Sequence, residues 1–461
     1  MNNQPLRNTT LAWKKADTDH HIHPFTDHAA MANGGGTRII TKAEGCWLED
    51  SEGERMLDGM AGLWCVALGY SQERLAKAAY NQMVELPYYN TFFQTAQPPS
   101  IELAEKLASI TPEGLNHVFY GSSGSESNDT IVRLVRHFWQ VKGQPEKTVI
   151  IGRELGYHGS TLAGVSLGGQ SGMHAQGGLP LPDFEHVMPP YWYAKGGDLT
   201  EEEFGLAAAK AVEDKILELG PEKVAAFIGE PIMGAGGLLY PPENYWPEIN
   251  RICEQYDILL VADEVITGFG RTGHWFATER YGIRPDLMTF AKAITSGYIP
   301  LSAVMVGERV AEAINNSGDD FNHGYTYSGH PVACAVALEN IAIMEELDLV
   351  NKIKTETGPY LHKRLNEALG DHPLVGEIRG EGMLAAIELV EDKATRKHFA
   401  DIGKVGGICR DHCFNSGLIM RATRDIMLIS PPMIIEKDEI DILVDRAKSA
   451  INATAKDLGI L

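Results

Sequence analysis

Positive charge is scarce in this sequence: 40 Lys and Arg stand against 62 Asp and Glu in 461 residues, a formal charge of −22. Counterion release on nucleic acid needs clustered Lys and Arg, so no nucleic-acid partner is expected. The acidic surface fits cationic substrates, or a saline habitat. Cysteine is equally sparse. The six (Cys46, Cys65, Cys253, Cys334, Cys409, Cys413) are scattered, which excludes a disulfide scaffold and fits reduced thiols in a cytosol. Cys409 and Cys413 share a helix face, with no second pair to complete a zinc site. No apolar run approaches the roughly 18 residues of a membrane span. The opening Met-Asn-Asn-Gln-Pro-Leu-Arg is not built like an export signal. The expectation is a soluble cytoplasmic protein that touches no membrane. His20-His21-Ile22-His23 invites a metal reading, but no carboxylate or cysteine has matching spacing, so no metal is expected.

What is present is alternation. The length allows two or three domain-sized units. Residues 1–35 read as polar and irregular, and residues 37–60 as a small meander turning at Asp50-Ser51-Glu52-Gly53. From about 65 to 335, short apolar strands (His117–Tyr120, Thr148–Ile151, Val224–Ile228, Ile258–Ala262) alternate with helices (101–110, 125–141, 202–218, 245–256). That pattern makes an α/β fold with a mostly parallel sheet and helices on both faces. After 335, long helices over 332–346 and 348–369 precede short strands, an α+β unit. Three segments are expected: 1–64 packing with a small domain, a large domain at 65–335, and the small domain at 336–461.

Two stretches carry chemistry. Lys292, in Thr-Phe-Ala-Lys-Ala-Ile, follows Asp263 at the end of Ile-Leu-Leu-Val-Ala-Asp by 29 positions. Pyridoxal phosphate chemistry requires such a pair. An amine, its pKa lowered by burial, forms a Schiff base with the cofactor aldehyde, and a carboxylate keeps the pyridine nitrogen protonated. Gly121-Ser122-Ser123-Gly124-Ser125-Glu126 lies between a strand and a helix, where backbone amides, hydroxyls and the helix N-terminus favour a phosphate. Ser123-x-x-Glu126 also reads as a capping box. A third stretch, Gly268-x-Gly270-x-x-Gly273 with Asp286 eighteen residues on, matches the dinucleotide fingerprint and leaves an NAD-binding oxidoreductase as the remote alternative. Five residues separate it from its strand, so a tight glycine turn is the preferred reading.

With these pieces in place, the chain resembles the class III aminotransferases, specifically the ω-amino acid or amine:pyruvate group. The resemblance rests on ordered blocks: His-His-Ile-His-Pro-Phe-Thr-Asp, Asp-Gly-Met-Ala-Gly-Leu-Trp-Cys (58–65), Tyr-Asn-Thr-Phe-Phe (89–93), Gly-Tyr-His-Gly-Ser-Thr (156–161) and Tyr-Thr-Tyr-Ser-Gly-His-Pro (325–331). It implies the fold-type I architecture of pyridoxal phosphate enzymes. A large domain with a seven-stranded type of sheet joins a small domain drawn from both termini, in a homodimer or a dimer of dimers. It implies Lys292 as the Schiff-base lysine and Asp263 as partner of the ring nitrogen. Val265 and Tyr157 take the ring faces, and Ser123, Gly124 and Ser125 the phosphate. Tyr325 and Thr326 reach the phosphate of the neighbouring subunit, and Glu230 lies near the cofactor. Arg421 is implied as a mobile arginine for the acceptor carboxylate, with Phe25, Trp64, Phe92 and Ile266 as pocket walls.

The implied reaction is ping-pong transfer of an amino group from a primary amine or ω-amino acid, such as putrescine or β-alanine, to pyruvate. Two departures bear on substrate choice. Gln170-Ser171-Gly172 lacks the bulky residue of some relatives, and Thr267 stands where cysteine is frequent. A 2-oxoglutarate-dependent aminotransferase or an aminomutase on the same scaffold is the alternative.

Overall fold

The computed structural model describes residues 9–461; the first eight residues of the N-terminal segment, with the stretch read above for an export signal, lie outside it. Seven strands form the main sheet in the order Leu115–Gly121, Ser302–Gly307, Leu287–Phe290, Leu259–Asp263, Val224–Gly229, Val149–Arg153, Phe184–Val187. Only Ser302–Gly307 runs against its neighbours. Val224–Gly229 and Leu259–Asp263 are buried at every position, as strands covered on both faces must be. Alternate side chains enter opposite layers. Leu259 and Val261 share a core with Ile131, Val135 and Phe138 of the helix Gly124–Val141, while Leu260 belongs to the core of Trp246 and Ile249 of the helix Tyr245–Gln255. Each such side chain contributes about 1.5–3 kcal/mol by leaving water.

A second sheet orders Val375–Glu381, Leu384–Leu389, Ile426–Ile429 and Arg421–Thr423, all antiparallel. A third joins the hairpins Ile40–Glu44, Trp47–Asp50 and Arg55–Asp58 to Leu418–Ile419, which pairs parallel to Arg55–Asp58. Among the described residues no helix is long and apolar enough to cross a membrane.

The structure corrects three expectations and bears out a fourth, the glycine turn. Residues 1–35 are not irregular throughout: helices Thr10–His20 and His28–Asn33 start at Thr9 and Asp27, whose side chains accept from Ala12 N and Ala30 N. Neither helix buries a residue fully, so no apolar stripe announced them. The first of these helices also supplies the carboxylate that seemed missing beside the histidines, because Asp17 lies one turn before His21. The helix expected over 348–369 is interrupted by a π-helical turn at Ile353–Thr357. Pro359 follows and has no N–H to carry the regular ladder. Finally, Gly268-x-Gly270-x-x-Gly273 does not turn a strand into a helix. Gly270 and Gly273 take φ of 92° and 80°, and a Cβ on Gly273 would stand 2.9 Å from the Lys354 backbone. These glycines permit a turn packed against a neighbouring helix, not a dinucleotide cradle.

Buried Asn340, on the helix Pro331–Glu346, anchors the turn after the strand Leu287–Phe290. Its amide donates to the carbonyls of Ala293 and Ile294 at 2.9 and 3.0 Å, and its Oδ1 accepts from Ser296 Oγ at 2.6 Å. Asn340→Ala removes all three of these buried hydrogen bonds, although Ser296 N still donates to the Ala293 carbonyl and Leu68 N to Ser296 Oγ, so urea unfolding should reveal a loss of about 1–3 kcal/mol.

Candidate active site

The parallel strands end on one side of the sheet, where ligand sites of open α/β folds form. Leu115–Gly121 runs into the serine-glycine loop, Val149–Arg153 into Tyr157 and His158, and Val224–Gly229 into Glu230. Leu259–Asp263 ends on Asp263 itself, and Leu287–Phe290 is followed, after Ala291, by Lys292. Lys292 opens a short 3₁₀ turn with φ of 52°, a left-handed conformation that costs a non-glycine residue about 1–3 kcal/mol. The Asn340 clamp on that turn holds it in place.

Asp263 is buried and fully engaged. His158 Nδ1 lies 2.7 Å and Asn128 Nδ2 2.9 Å from its Oδ2, and Val265 N donates to Oδ1 at 3.0 Å. Burial would raise the carboxyl pKa, but the hydrogen bonds and charge of His158, with the Asn128 and Val265 bonds, outweigh it and hold Asp263 below the usual carboxylate value. Lys292 makes no hydrogen bond or ion pair among the described residues. Burial pushes its pKa down, opposed by the charges of Asp263, Cys65 and Glu230 and reinforced by that of Arg421. The two groups are therefore driven toward an ionised carboxylate and a neutral amine.

Between them lies a cavity of about 340 Å³ lined by Ser122–Ser125, Asn128, Tyr157, Glu230, Val265, Ile266 and Lys292, among others. Its donors fit a phosphorylated planar ring. Gly124 and Ser125 open the helix, whose first amides have no intrahelical partner. A Cβ on Gly124 would crowd Val265 at 3.1 Å, and one on Gly159 would meet Ser125 Oγ at 2.7 Å, so only glycines leave this cradle open. Ser123 Oγ caps the helix by accepting from Glu126 N at 3.2 Å. Glu126 answers to Ser122 N at 2.6 Å rather than to Ser123, so the expected capping box is displaced by one residue. Glu230 acts on the backbone: its carboxylate accepts from Tyr157 N at 3.1 Å and Gly234 N at 2.8 Å.

Six expected residues stand outside this cavity. Tyr325 lies against the far side of the loop helix, donating to the Glu126 carbonyl at 2.9 Å, and the Thr326 carbonyl accepts from Tyr88 Oη at 2.6 Å. Phe25 is 78% exposed and Phe92 is also at the surface, whereas Trp64 is only 2% exposed. The Arg421 guanidinium lies 5.0 Å from the Trp64 ring centre. Sequence reasoning missed His158 and Asn128. His158 stood inside the quoted Gly-Tyr-His-Gly block beside Tyr157. Asn128 carried no signal, since only the helix register turns it toward Asp263.

Residues 30–451 match the family described as Aminotransferase class-III. The chain is 57% identical over 455 residues to the putrescine–pyruvate aminotransferase of Pseudomonas aeruginosa, covering 99% of each protein. It is 43% identical over 447 residues to the diaminobutyrate–2-oxoglutarate transaminase of Halomonas elongata, covering 95% of each. The omega transaminase of Pseudomonas jessenii, solved in complex with PMP, superimposes with a TM-score of 0.95 at 42% identity, over 97% of this chain and 99% of that one.

Gly159→Ala should weaken pyridoxal phosphate binding about tenfold or more by forcing Ser125 aside at a φ of 129°. Equilibrium dialysis against the cofactor measures this.

Proposed function

This chain belongs to the class III aminotransferases, with pyridoxal phosphate as cofactor and the fold of type I, and on that basis we propose that it moves an amino group from a primary diamine of the putrescine kind to pyruvate. The supporting observation is the match across 99% of both chains to an enzyme named for that pair. When bound, the cofactor supplies an aldehyde that captures amines and a protonated ring that takes up the electron pair left by a departing Cα proton.

The chain's own residues do the rest. Lys292 Nζ, its pKa lowered by burial, would take up the Cα proton as base and give it up as acid at the cofactor carbon that carries the aldehyde. Asp263, held anionic by His158 and Asn128, would keep a proton on the ring nitrogen. Val265 and Tyr157 would confine the ring, and the amides of Gly124 and Ser125 with the hydroxyl of Ser123 would hold the phosphate. The Arg421 guanidinium makes no hydrogen bond or ion pair among the described residues and rests against Trp64. It is free to meet an acceptor carboxylate through two parallel hydrogen bonds and to withdraw for a carboxylate-free amine. We assign the reaction to the cytoplasm, in keeping with six unpaired cysteines.

We also assign a homodimer with shared sites. Tyr325 and Thr326 miss their own cavity but lie beside exposed Tyr88 and Tyr327, an aromatic surface of the kind that seeks a partner. Sedimentation velocity should give the mass of two chains or four; a monomer at micromolar concentration would end this assignment.

Purified protein should carry a visible absorbance band that bleaches with putrescine and returns with pyruvate. Lys292→Ala should lower turnover at least about 10²-fold with the unfolding midpoint kept. Because burial lowers the lysine pKa, the neutral amine exists at lower pH than usual, and capture of pyridoxal phosphate by the cofactor-free protein should quicken with pH through a midpoint below 10.5. Arg421→Leu should raise KM for pyruvate about tenfold or more, by loss of a charged hydrogen bond, and leave bleaching by putrescine in place. A faster return with 2-oxoglutarate than with pyruvate would overturn the acceptor assignment in favour of the reaction named for the Halomonas elongata relative.

A further inference from the structure

Away from the cavity, the end of the first helix gathers a second set of groups. Asp17 and His21 are one turn apart, and the chain then folds back so that His23 approaches the same carboxylate. Asp17 Oδ1 lies 2.9 Å from His21 Nδ1, and Asp17 Oδ2 lies 2.8 Å from His23 Nε2. The two imidazole rings are 4.1 Å apart between centres. One ligating atom from each residue fits within 4.8 Å of the others. Ligands around a tetrahedral ion, at about 2.0–2.1 Å from the metal, stand roughly 3.3 Å apart. The two aspartate–histidine pairs, at 2.9 and 2.8 Å, must open slightly to reach that spacing, and no pair of ligating atoms starts beyond 4.8 Å.

We propose that Asp17, His21 and His23 form a binding site for one divalent transition ion of borderline softness, with zinc the expected occupant. Two imidazole nitrogens and one carboxylate favour zinc, nickel or copper over magnesium or calcium, which take oxygen ligands in larger number. Three protein ligands leave a fourth position for water. The set also has the outer support that metal sites use. Thr37 Oγ1 donates to Asp17 Oδ2 at 2.7 Å, fixing the carboxylate from a separate segment. His28 Nε2 stands 3.2 Å from the His23 carbonyl, steadying the backbone of the second histidine. The Asp17 and His23 side chains are 17% and 21% exposed and that of His21 is 59% exposed, so two ligands are sheltered and the third faces the solvent from which an ion arrives.

A bound ion would tie the helix Thr10–His20 to the segment that carries Phe25. Without it, the juncture rests on the hydrogen bonds of Asp17 and His28 and on contacts between the histidine rings. The role is structural, since none of the three ligands lines the catalytic cavity.

The test uses the full chain loaded with cofactor, free of any polyhistidine tag and freed of metal by a chelator. Zinc titrated against a chromogenic competitor should bind at one equivalent per chain, and cobalt should give the intense visible bands of a tetrahedral ion. Loss of an outer partner alone costs metal sites about 10–100-fold in affinity. Asp17→Asn and His23→Gln should each therefore weaken zinc at least tenfold, while His20→Gln, at an exposed neighbour outside the set, should not. Retained far-ultraviolet dichroism and cofactor absorbance in each variant establish that it has folded. The proposal fails if the unaltered chain takes up no zinc at micromolar concentration. It also fails if the folded Asp17 and His23 variants bind as tightly as the unaltered chain, or if His20→Gln loses as much as they do.

Discussion

A carboxylate stays ionised inside a sheet only if donors replace the water it has lost. Asp263 ends a strand that is buried along its whole length, and its three donors come from three different places. Asn128 arrives on the helix that begins at the phosphate loop, His158 on the connection after Val149–Arg153, and Val265 on the turn that follows Asp263 itself. The network therefore does two things at once. It sets the charge that the chemistry needs, and it draws the crossover segments over the strand ends, which gives the cavity its walls.

The opposite charge is treated in the opposite way. Lys292 is given no partner, its backbone is held in the left-handed region, and the restraint comes from Asn340 behind the turn. A neutral, unattached amine can move a proton, whereas one locked in an ion pair to Asp263 could not. Pushing the protonation of two neighbouring groups apart is how one site holds a fixed anion and a working base at the same pH.

Much of this was legible in the residues. The sheet could be read because its strands are continuous apolar runs, and periodicity reports burial directly. Lys292, Asp263 and the serine-glycine loop could be read because each sits at a strand end, a boundary that local pattern marks. The N-terminal helices escaped because they bury no full side chain and differ from loop only by their caps. His158 and Asn128 escaped because hydrogen-bond partners are chosen in three dimensions. The same holds for Asp17: its neighbourhood to His21 and His23 depends on a helix that gave no periodic signal. The failure of the Gly268–Gly273 match is instructive in the other direction. Spacing alone names the glycines, and only packing against Lys354 says why they are there.

The order of the main sheet has one more consequence. The strand that carries the phosphate loop and the strand that precedes Lys292 are separated by a single antiparallel strand, and the strand of Asp263 comes next. Neighbouring strands stand about 4.8 Å apart whatever their side chains. The reach from one anchor to the next is thus gauged by backbone hydrogen bonds, like marks on a ruler. Trp64 and Arg421 come from segments that contribute nothing to that gauge. Lineages can accordingly rewrite those segments and change diet without recalibrating the ruler, so that drift in one part of the protein does not put the other at risk.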